Sequence, residues 1–332
     1  MMHSPMPVVF QPIFKPKPWG GRSLERLFGK ALPAESPIGE SWELSDLAGN
    51  ESCVGRGPLA GVSIRDLIRE WGAELLGSTP LMNERFPLLI KFLDAREALS
   101  LQVHPRSKGK KRTAERAPEK DEAWFVIDAD PSAELHIGAK PGITNDDVVA
   151  AIASDRLQEL LISRPVWNGD CYYLPSGVPH ALGAGLVVAE IQTPVDVTYR
   201  LYDWGRVGLD GRPRELHVEQ ALANIRYDVA ETEIVQPRRM RIASRASIER
   251  VATCERFSVE RVRAETGVDC TSSSGEMRVL ILLNGRLITR GELESQEFYT
   301  GDVVLLPAAL PSGSVETATD CEFLDVRAGS AS

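Results

Sequence analysis

The spacing of apolar and polar positions changes several times along the chain, and each change predicts a different kind of element. From about 60 to 85, apolar residues in SIRDLIREWGAELLG recur at helical spacing after a capping Ser63. From residue 86 onward, short apolar runs separated by Gly, Pro, Asp and Asn predict β-strands. Further helices are predicted over 144–165, which has acidic residues near its start, and over 213–225. The pattern indicates a β-sandwich or barrel with helical insertions.

A weak internal repeat indicates that the β-fold is duplicated. The segment GDCYYLPSGVPH (169–180) matches GDVVLLPAALPS (301–312) at its Gly-Asp, Leu-Pro and second Pro positions. A looser alignment places Glu276 over Glu122, and Ser312 stands where the first copy has His180. We expect a catalytic domain over 1–230, which contains the three helical segments, and a C-terminal β-domain over 231–332 without metal ligands or a polar interior.

Composition and charge narrow the classes of partner. The chain has 332 residues, 43% of them apolar, and a formal net charge of −9 without a long run of Lys or Arg, which argues against nucleic-acid and membrane surfaces. The five cysteines are far apart and include no C-x-x-C pair, so neither a disulfide framework nor a cysteine zinc site is indicated. The sequence shows neither a signal peptide nor a membrane-spanning stretch. We expect a soluble cytoplasmic protein, as a monomer or small homo-oligomer.

Four polar residues of the first β-domain form a candidate metal site. Gln102 and His104 are two positions apart in the strand-like run SLQVHPRSK, so both side chains would face one interior. Glu122 lies on the next strand, and His180 follows a turn that ends in Pro. Two imidazoles, a carboxylate and an amide oxygen suit Zn²⁺, Mn²⁺ or Fe²⁺ and leave positions open for water or substrate. The alternative is that each is a hydrogen-bonded core or turn residue.

Several separated segments carry a resemblance to a known family. KPWGG, FPLLIKFLDAREALSLQVHP, KDEAW, LPSGVPHALGAG and VAEIQTPVDVTYRLYDWGR resemble the motif series of type I mannose-6-phosphate isomerases, in the short bacterial form. The likeness extends to about residue 225 and is faint beyond it. It implies a mainly β fold, a cupin jelly-roll barrel with helical insertions followed by a second, degenerate cupin-like domain. It also implies that one Zn²⁺ per chain is bound by Gln102, His104, Glu122 and His180.

The resemblance further implies a reaction and a set of residues for it. The reaction interconverts mannose 6-phosphate and fructose 6-phosphate by proton transfer between C1 and C2 through a cis-enediol. Such chemistry needs a base, a cation near the sugar oxygens and a cationic patch for the phosphate. The candidate catalytic residues are Arg200, Lys120 and Glu190, and the candidate substrate-binding residues are Lys91, Asp196 and Trp19.

Several of these roles have alternatives. Arg200 could stabilise developing charge or bind the phosphate. Lys91 could instead be a surface lysine whose stem packs on apolar side chains. Glu190 and Asp196 could carry protons or pair with Arg200, so the base is not assigned. Trp19 could be a pocket wall or a packing residue. Competing functions are a non-catalytic sugar-binding cupin, an isomerase of another aldose or phosphosugar, and a metal oxygenase.

Overall fold

The computed structural model describes residues 4–106, 118–236, 238–243, 245–271, 275–291 and 295–329. Short antiparallel strands are the main regular elements of these residues, and the helices are few and short. The prediction of a mainly β fold with helical insertions is therefore confirmed. No helix among the described residues is both long and apolar enough to cross a membrane.

The strands up to residue 202 are separated by turns and by the helical insertions. They are β1 (Val8–Val9), β2 (Ile13–Gly21), β3 (Ile38–Leu44), β4 (Asp46–Leu47), β5 (Asn50–Glu51), β6 (Leu89–Ala95), β7 (Leu101–Val103), β8 (Glu122–Ala129), β9 (Glu134–Ala139), β10 (Leu161–Pro165), β11 (Cys171–Leu174), β12 (His180–Leu182), β13 (Leu186–Gln192) and β14 (Tyr199–Tyr202).

The helices are α1 (Ser23–Phe28), α2 (Ile64–Trp71), α3 (Ala73–Leu76), α4 (Asn145–Ala153), α5 (Val218–Asn224) and α6 (Glu231–Ile234), with a 3-10 helix at Leu157–Leu160. Helix α2 begins after Ser63, whose side chain accepts a hydrogen bond from the backbone of Asp66. The segment 144–165 is only partly helical, because its last five residues form β10 and pair with β9. This pairing overrides the local helical periodicity.

The first unit has two sheets that face each other across one interior. One sheet has the strand order β10-β9-β12-β7-β14, and the other has the order β11-β8-β13-β6-β2-β3. Inward-facing Trp124, Leu93 and Leu135 from the two sheets belong to one buried apolar cluster, which fills part of the interior. The rest of the interior is lined by polar side chains.

The outer face of the five-stranded sheet is covered by helices. Leu101 and Val103 point outward and pack in one cluster with Val148 of α4 and Ala221 of α5. Because side chains alternate along a strand, this packing directs Gln102 to the interior.

The second unit is built from the remaining strands. They are β15 (Arg239–Ala243), β16 (Ala246–Thr253), β17 (Phe257–Ala264), β18 (Arg278–Asn284), β19 (Arg286–Thr289), β20 (Glu297–Tyr299), β21 (Val303–Leu306), β22 (Val315–Thr317) and β23 (Cys321–Ala328). Its larger sheet has the order β1-β21-β18-β23-β17-β16-β15, so the N-terminal strand pairs with β21, with Val8 opposite Leu305. We keep the proposed division into 1–230 and 231–332, with the exception of β1, which lies in the second unit's sheet.

Strand pairing corrects the alignment of the repeat. In the first unit Glu122 pairs with Leu174, and in the second unit Arg278 pairs with Leu306. Leu174 and Leu306 occupy the same position of the Gly-Asp to Leu-Pro repeat. Arg278, and not Glu276, therefore corresponds to Glu122.

The interior of the second unit is charged, so the expectation that it lacks polar groups is wrong. Arg278 and Asp325 are buried, and the guanidinium donates two hydrogen bonds of 2.9 and 2.6 Å to that carboxylate. Buried Glu260 accepts from Arg250 at 3.4 Å and from Arg241 at 3.1 Å. These groups satisfy one another, which is how buried charges are tolerated.

Candidate active site

Gln102 and His180 are two residues that the five-stranded sheet contributes to the site. They are direct partners across β7 and β12, and Nε2 of the amide lies 3.2 Å from Nε2 of the imidazole. A half-turn of an amide exchanges its nitrogen and its oxygen, so this position can also offer an oxygen. His104 follows β7 and is buried with only 1% of its surface exposed. The alternation predicted for Gln102 and His104 therefore agrees with the structure.

Glu122 approaches the two imidazoles from the facing sheet. Its Oε1 lies 3.2 Å from Nε2 of His180, and its Oε2 lies 3.2 Å from Nε2 of His104. One ligand atom from each of these three residues lies within 4.8 Å of the others, and all three residues are buried. Metal bonds of about 2.0–2.2 Å place two ligand atoms at most about 4.4 Å apart, and both 3.2 Å separations between Glu122 and the imidazoles satisfy this limit.

The hydrogen bonds around this centre fit a metal. His180 donates from Nδ1 to the Val178 carbonyl at 2.8 Å, and Nδ1 of His104 lies 3.3 Å from the Val197 carbonyl. These bonds orient both Nε2 lone pairs towards Glu122. Among the described residues, neither oxygen of Glu122 nor Nε2 of His104 has a hydrogen-bond partner, although all three atoms are buried. Lys120 Nζ is 2.8 Å from Oε2 of Glu122, which makes an ion pair, but the angles between these groups do not fit a hydrogen bond.

Electrostatics keep the ligands in their metal-binding forms. Burial, together with the charge of Lys120, lowers the pKa of His104 to about 3, so the imidazole is neutral. Burial alone would raise the pKa of Glu122, but Lys120 and His104 outweigh it, and the pKa lies well below the ordinary glutamate value. A neutral imidazole and an ionised carboxylate are the forms that bind a divalent cation.

A cluster of two lysines and one glutamate lies beside the ligands. Lys91 is directly opposite Glu190 across β6 and β13, with 3.5 Å between Nζ and Oε1, and Lys120 Nζ lies 3.6 Å from the same oxygen. Lys91 is only 3% exposed, which excludes the alternative of a surface lysine. Burial raises the pKa of Glu190 to about 7, and the charge of Glu122 adds to the rise while both lysines oppose it.

The other three sequence candidates line one cavity of about 270 Å³, and Gln102, Lys91, Lys120 and Glu190 line it with them. Gln102 contacts His180 and Lys120 contacts Glu122, so the cavity lies beside the metal ligands. Trp19 is buried, and its ring packs against Gly39, where a Cβ would lie 2.6 Å from the ring. Asp196 is 3.9 Å from Lys91 Nζ, with 52% of its side chain exposed, so it lies at the mouth. Arg200 donates from Nη1 to the Glu215 carbonyl at 2.7 Å. Burial, followed by the nearby charge of Arg214, lowers the pKa of Arg200.

Three charged residues of this cavity were missed by the sequence analysis, namely Lys17, Glu40 and Arg214. Lys17 pairs with Glu40 at 2.7 Å, and Trp42 also donates to Glu40 at 2.7 Å. Burial opposes ionisation of Glu40, but Lys17 and Lys91 lower its pKa to about 2. The spacing of Lys17 and Trp19, two apart in a strand, was the signal that could have found Lys17.

His136, by contrast, lies outside this interior. Its neighbour in the sheet, Ala181, packs in the outer cluster, and its Nδ1 lies 2.8 Å from Ser163 Oγ. Its ring also packs 6.0 Å from that of Trp204, between centroids. The sheet therefore directs His136 away from Glu122.

Comparison with known proteins gives consistent matches. A family model described as phosphomannose isomerase type I, catalytic domain, matches residues 8–134. The chain is 33% identical to the probable mannose-6-phosphate isomerase GmuF of Bacillus subtilis, over 96% of this chain and 98% of that protein. It is 32% identical to the mannose-6-phosphate isomerase ManA of the same organism, over 95% and 97%.

Solved structures match over the same length. The crystal structure of the mannose 6-phosphate isomerase from Bacillus subtilis superposes with a TM-score of 0.86 at 30% identity, over 96% of this chain and 99% of that one. A mannose 6-phosphate isomerase bound with zinc and yttrium has a TM-score of 0.72 at 16% identity, over 97% and 99%, which shows the same fold.

Proposed function

This chain belongs to the type I phosphomannose isomerases, and from that premise we propose that it interconverts mannose 6-phosphate and fructose 6-phosphate in the cavity described above. The observation that carries the proposal is the meeting of Glu122 with His104 and His180 beside a cavity that is lined by Gln102, two buried lysines and a buried glutamate. Metal ligands, a proton-carrying carboxyl and cations are the groups that an aldose–ketose isomerisation needs.

The metal proposed for this centre is one Zn²⁺ per chain, held by Gln102, His104, Glu122 and His180. Two imidazoles and one carboxylate are ligands that zinc accepts, and the amide is a neutral fourth. When bound, the ion supplies positive charge that polarises the sugar oxygens and stabilises the enediolate. The chain's own residues carry out the remaining steps.

Glu190 is the group that we assign to proton transfer between C1 and C2. It is buried, and its pKa near 7 allows it to accept and return a proton at neutral pH. Lys91 and Lys120 both lie within 3.6 Å of Glu190 Oε1, so they fix the position of the carboxyl group. Lys120 also faces the ligands and is placed to donate a hydrogen bond to a sugar oxygen during ring opening.

The remaining residues orient the substrate or stabilise its charge. Arg200 faces the cavity with a planar guanidinium, which suits either the charge developing on the sugar or a phosphate oxygen. Trp19 forms an apolar wall, and Asp196 at the mouth accepts hydrogen bonds from sugar hydroxyls. We place the enzyme in the reducing cytoplasm, which is consistent with its five free cysteines.

Turnover tests the proposal directly. Purified chain is incubated with mannose 6-phosphate, and fructose 6-phosphate is measured before chelation, after chelation and after Zn²⁺ is returned. We expect activity that chelation removes and zinc restores. Absence of turnover by protein that contains zinc would reject the substrate assignment and favour a sugar-binding cupin or another aldose. Consumption of O₂ that depends on bound iron would indicate a metal oxygenase instead.

A further inference from the structure

A second guanidinium stands beside Arg200 in the cavity. Arg214 lies in the loop between β14 and α5 and lines the same cavity. After burial, its charge is the largest cause of the lowered pKa of Arg200. Like charges held this close repel each other, and an anion between them relieves the repulsion.

The loop holds both groups in place without a ligand. Asp203 is buried and accepts hydrogen bonds from Nε of Arg214 at 2.7 Å and from Nη2 of Arg206 at 2.8 Å. Burial alone would raise the pKa of Asp203, but the bonds from Arg214 and Arg206 lower it. The His217 backbone also donates to the carbonyl of Arg200 at 2.7 Å, which ties the end of the loop to β14.

The two ends of the cavity differ in charge balance. At one end Lys17 pairs with Glu40, and each of Lys91 and Lys120 has a glutamate within 3.6 Å. At the other end three arginines, Arg200, Arg206 and Arg214, lie around one buried carboxylate, that of Asp203. Two further carboxylates lie nearby, those of Glu97 and Glu215, but both are exposed to solvent, which screens their charge. This end therefore has excess positive charge.

Arg200 and Arg214 each have an N–H group that donates no hydrogen bond to another described residue. Nε of Arg200 is buried and has no hydrogen-bond partner among the described residues. The bonds from Arg214 to Asp203 use Nε and Nη2, which leaves Nη1 for a ligand. A pair of planar guanidinium groups with free donors matches the oxygens of a phosphate.

We propose that Arg214, together with Arg200, binds the phosphoryl group of the substrate, and that Arg214 sets the preference for a phosphorylated over a free sugar. The inference rests on the proposed function, because it takes the same cavity as the active site. It assigns the phosphate to the end formed by the loop after β14, and the sugar carbons to the end beside Glu122.

Arg206 provides a matched control on the same loop. It shares the carboxylate of Asp203 with Arg214, but its Nη1 donates to the Ala98 carbonyl at 2.7 Å, and it is not among the residues that line the cavity. Loss of Arg206 therefore weakens the loop without removing a ligand of the phosphate.

The experiment uses the zinc-loaded full chain with the variants Arg214→Ala, Arg214→Lys and Arg206→Ala. Steady-state constants are measured for mannose 6-phosphate and for free mannose, with inorganic phosphate as a competitive inhibitor. For Arg214→Ala we expect KM for mannose 6-phosphate and the inhibition constant of phosphate to rise about 10- to 100-fold, as for the loss of charged hydrogen bonds. The kcat/KM for mannose should fall far less than that for mannose 6-phosphate, and Arg206→Ala should change the constants for mannose 6-phosphate and phosphate far less than Arg214→Ala does.

Two results would overturn the inference. One is a parallel loss with both sugars, and the other is unchanged inhibition by phosphate. Arg214→Lys keeps a cation beside Asp203, so this variant tests the inference if the alanine variant unfolds. For Arg214→Lys we expect a smaller rise in KM that is confined to the phosphorylated sugar. If the wild type turns over neither sugar, the proposed function is wrong, and titration calorimetry with inorganic phosphate still tests the Arg214 subsite separately.

Discussion

Oε1 of Glu122 lies 3.2 Å from Nε2 of His180, although the two residues belong to different sheets of the first unit. This contact joins the sheets at a point where both groups are buried. Buried carboxylate oxygens without hydrogen bonds are costly, and a shared cation removes the cost.

His180→Ala is expected to lose metal and activity together. The substitution removes one of the ligands that reach Glu122, so zinc per chain should fall from about one to a small fraction, and turnover should fall with it. Elemental analysis after gel filtration, with an activity assay on the same sample, measures both. The control is His136→Ala, since His136 is also buried in this sheet but faces outward. Equal metal loss in both variants would contradict the assignment.

Arg200→Ala is expected to keep its metal and lose turnover. The guanidinium lines the cavity, and among the described residues no hydrogen bond or ion pair joins it to His104, Glu122 or His180. Arg200 is opposite Gln102 across β14 and β7, and this backbone pairing does not need the side chain, so zinc content should equal that of the wild type. Loss of a charge-stabilising donor lowers kcat by about 10²–10³-fold in other enzymes, and we expect a similar fall here. Near-normal kcat/KM would show that Arg200 is not part of the reaction.

The pH dependence of the reaction should follow Glu190. A carboxyl that accepts a proton acts in its ionised form, so kcat/KM should rise with pH up to about 7 and then level off. This rise is the acidic limb of the pH profile. A bound cation favours the ionised carboxylate and would move the acidic limb to lower pH. Glu190→Gln is expected to lower kcat by about 10²–10⁴-fold and to remove the limb.

Asp196→Asn is the comparison for that experiment. Asp196 is half exposed at the mouth of the cavity, whereas Glu190 is buried between two lysines. The acidic limb should persist in the Asp196 variant. If the limb instead disappears there and persists in Glu190→Gln, the proton carrier is Asp196.

Arg278→Ala is expected to destabilise the protein without removing its metal. The change removes both bonds from the buried guanidinium and leaves Asp325 with one bond of 3.2 Å from the partly exposed Arg327. Breaking a buried pair costs about 3–5 kcal/mol in other proteins, and we expect a loss at or somewhat below that range. Urea unfolding of the zinc-loaded protein measures the loss. The double variant Arg278→Met, Asp325→Leu should recover much of the stability, because no charge is then left alone. A fall in zinc per chain in folded Arg278→Ala would show that the second unit takes part in metal binding.

The parts of the site that the sequence predicted depend on local rules. Gln102 and His104 share a face because side chains alternate in a strand, and flanking Leu101 and Val103 pack on the helices. His180 could be placed because it directly follows a turn. In each case a few neighbouring residues determine which way the side chain points.

The missed parts depend on long-range pairing. Arg214 reaches the cavity because Asp203 bonds it and the loop is tied back to β14, which no periodicity indicates. The repeat was misaligned by two residues because Glu276 resembles Glu122 in type, whereas the register of β18 with β21 places Arg278 there. Pairing of β1 with the second unit likewise joins residues about 300 positions apart.

The most direct test of the account is the position of the metal itself. Anomalous diffraction from crystals of the zinc-loaded protein locates each zinc ion and identifies the side chains bonded to it. We expect one ion per chain, bonded by Gln102, His104, Glu122 and His180 at about 2.0–2.2 Å for the imidazole and carboxylate atoms. An ion at another place, or an interior in which Glu122 and the two imidazoles share no ion, would contradict it.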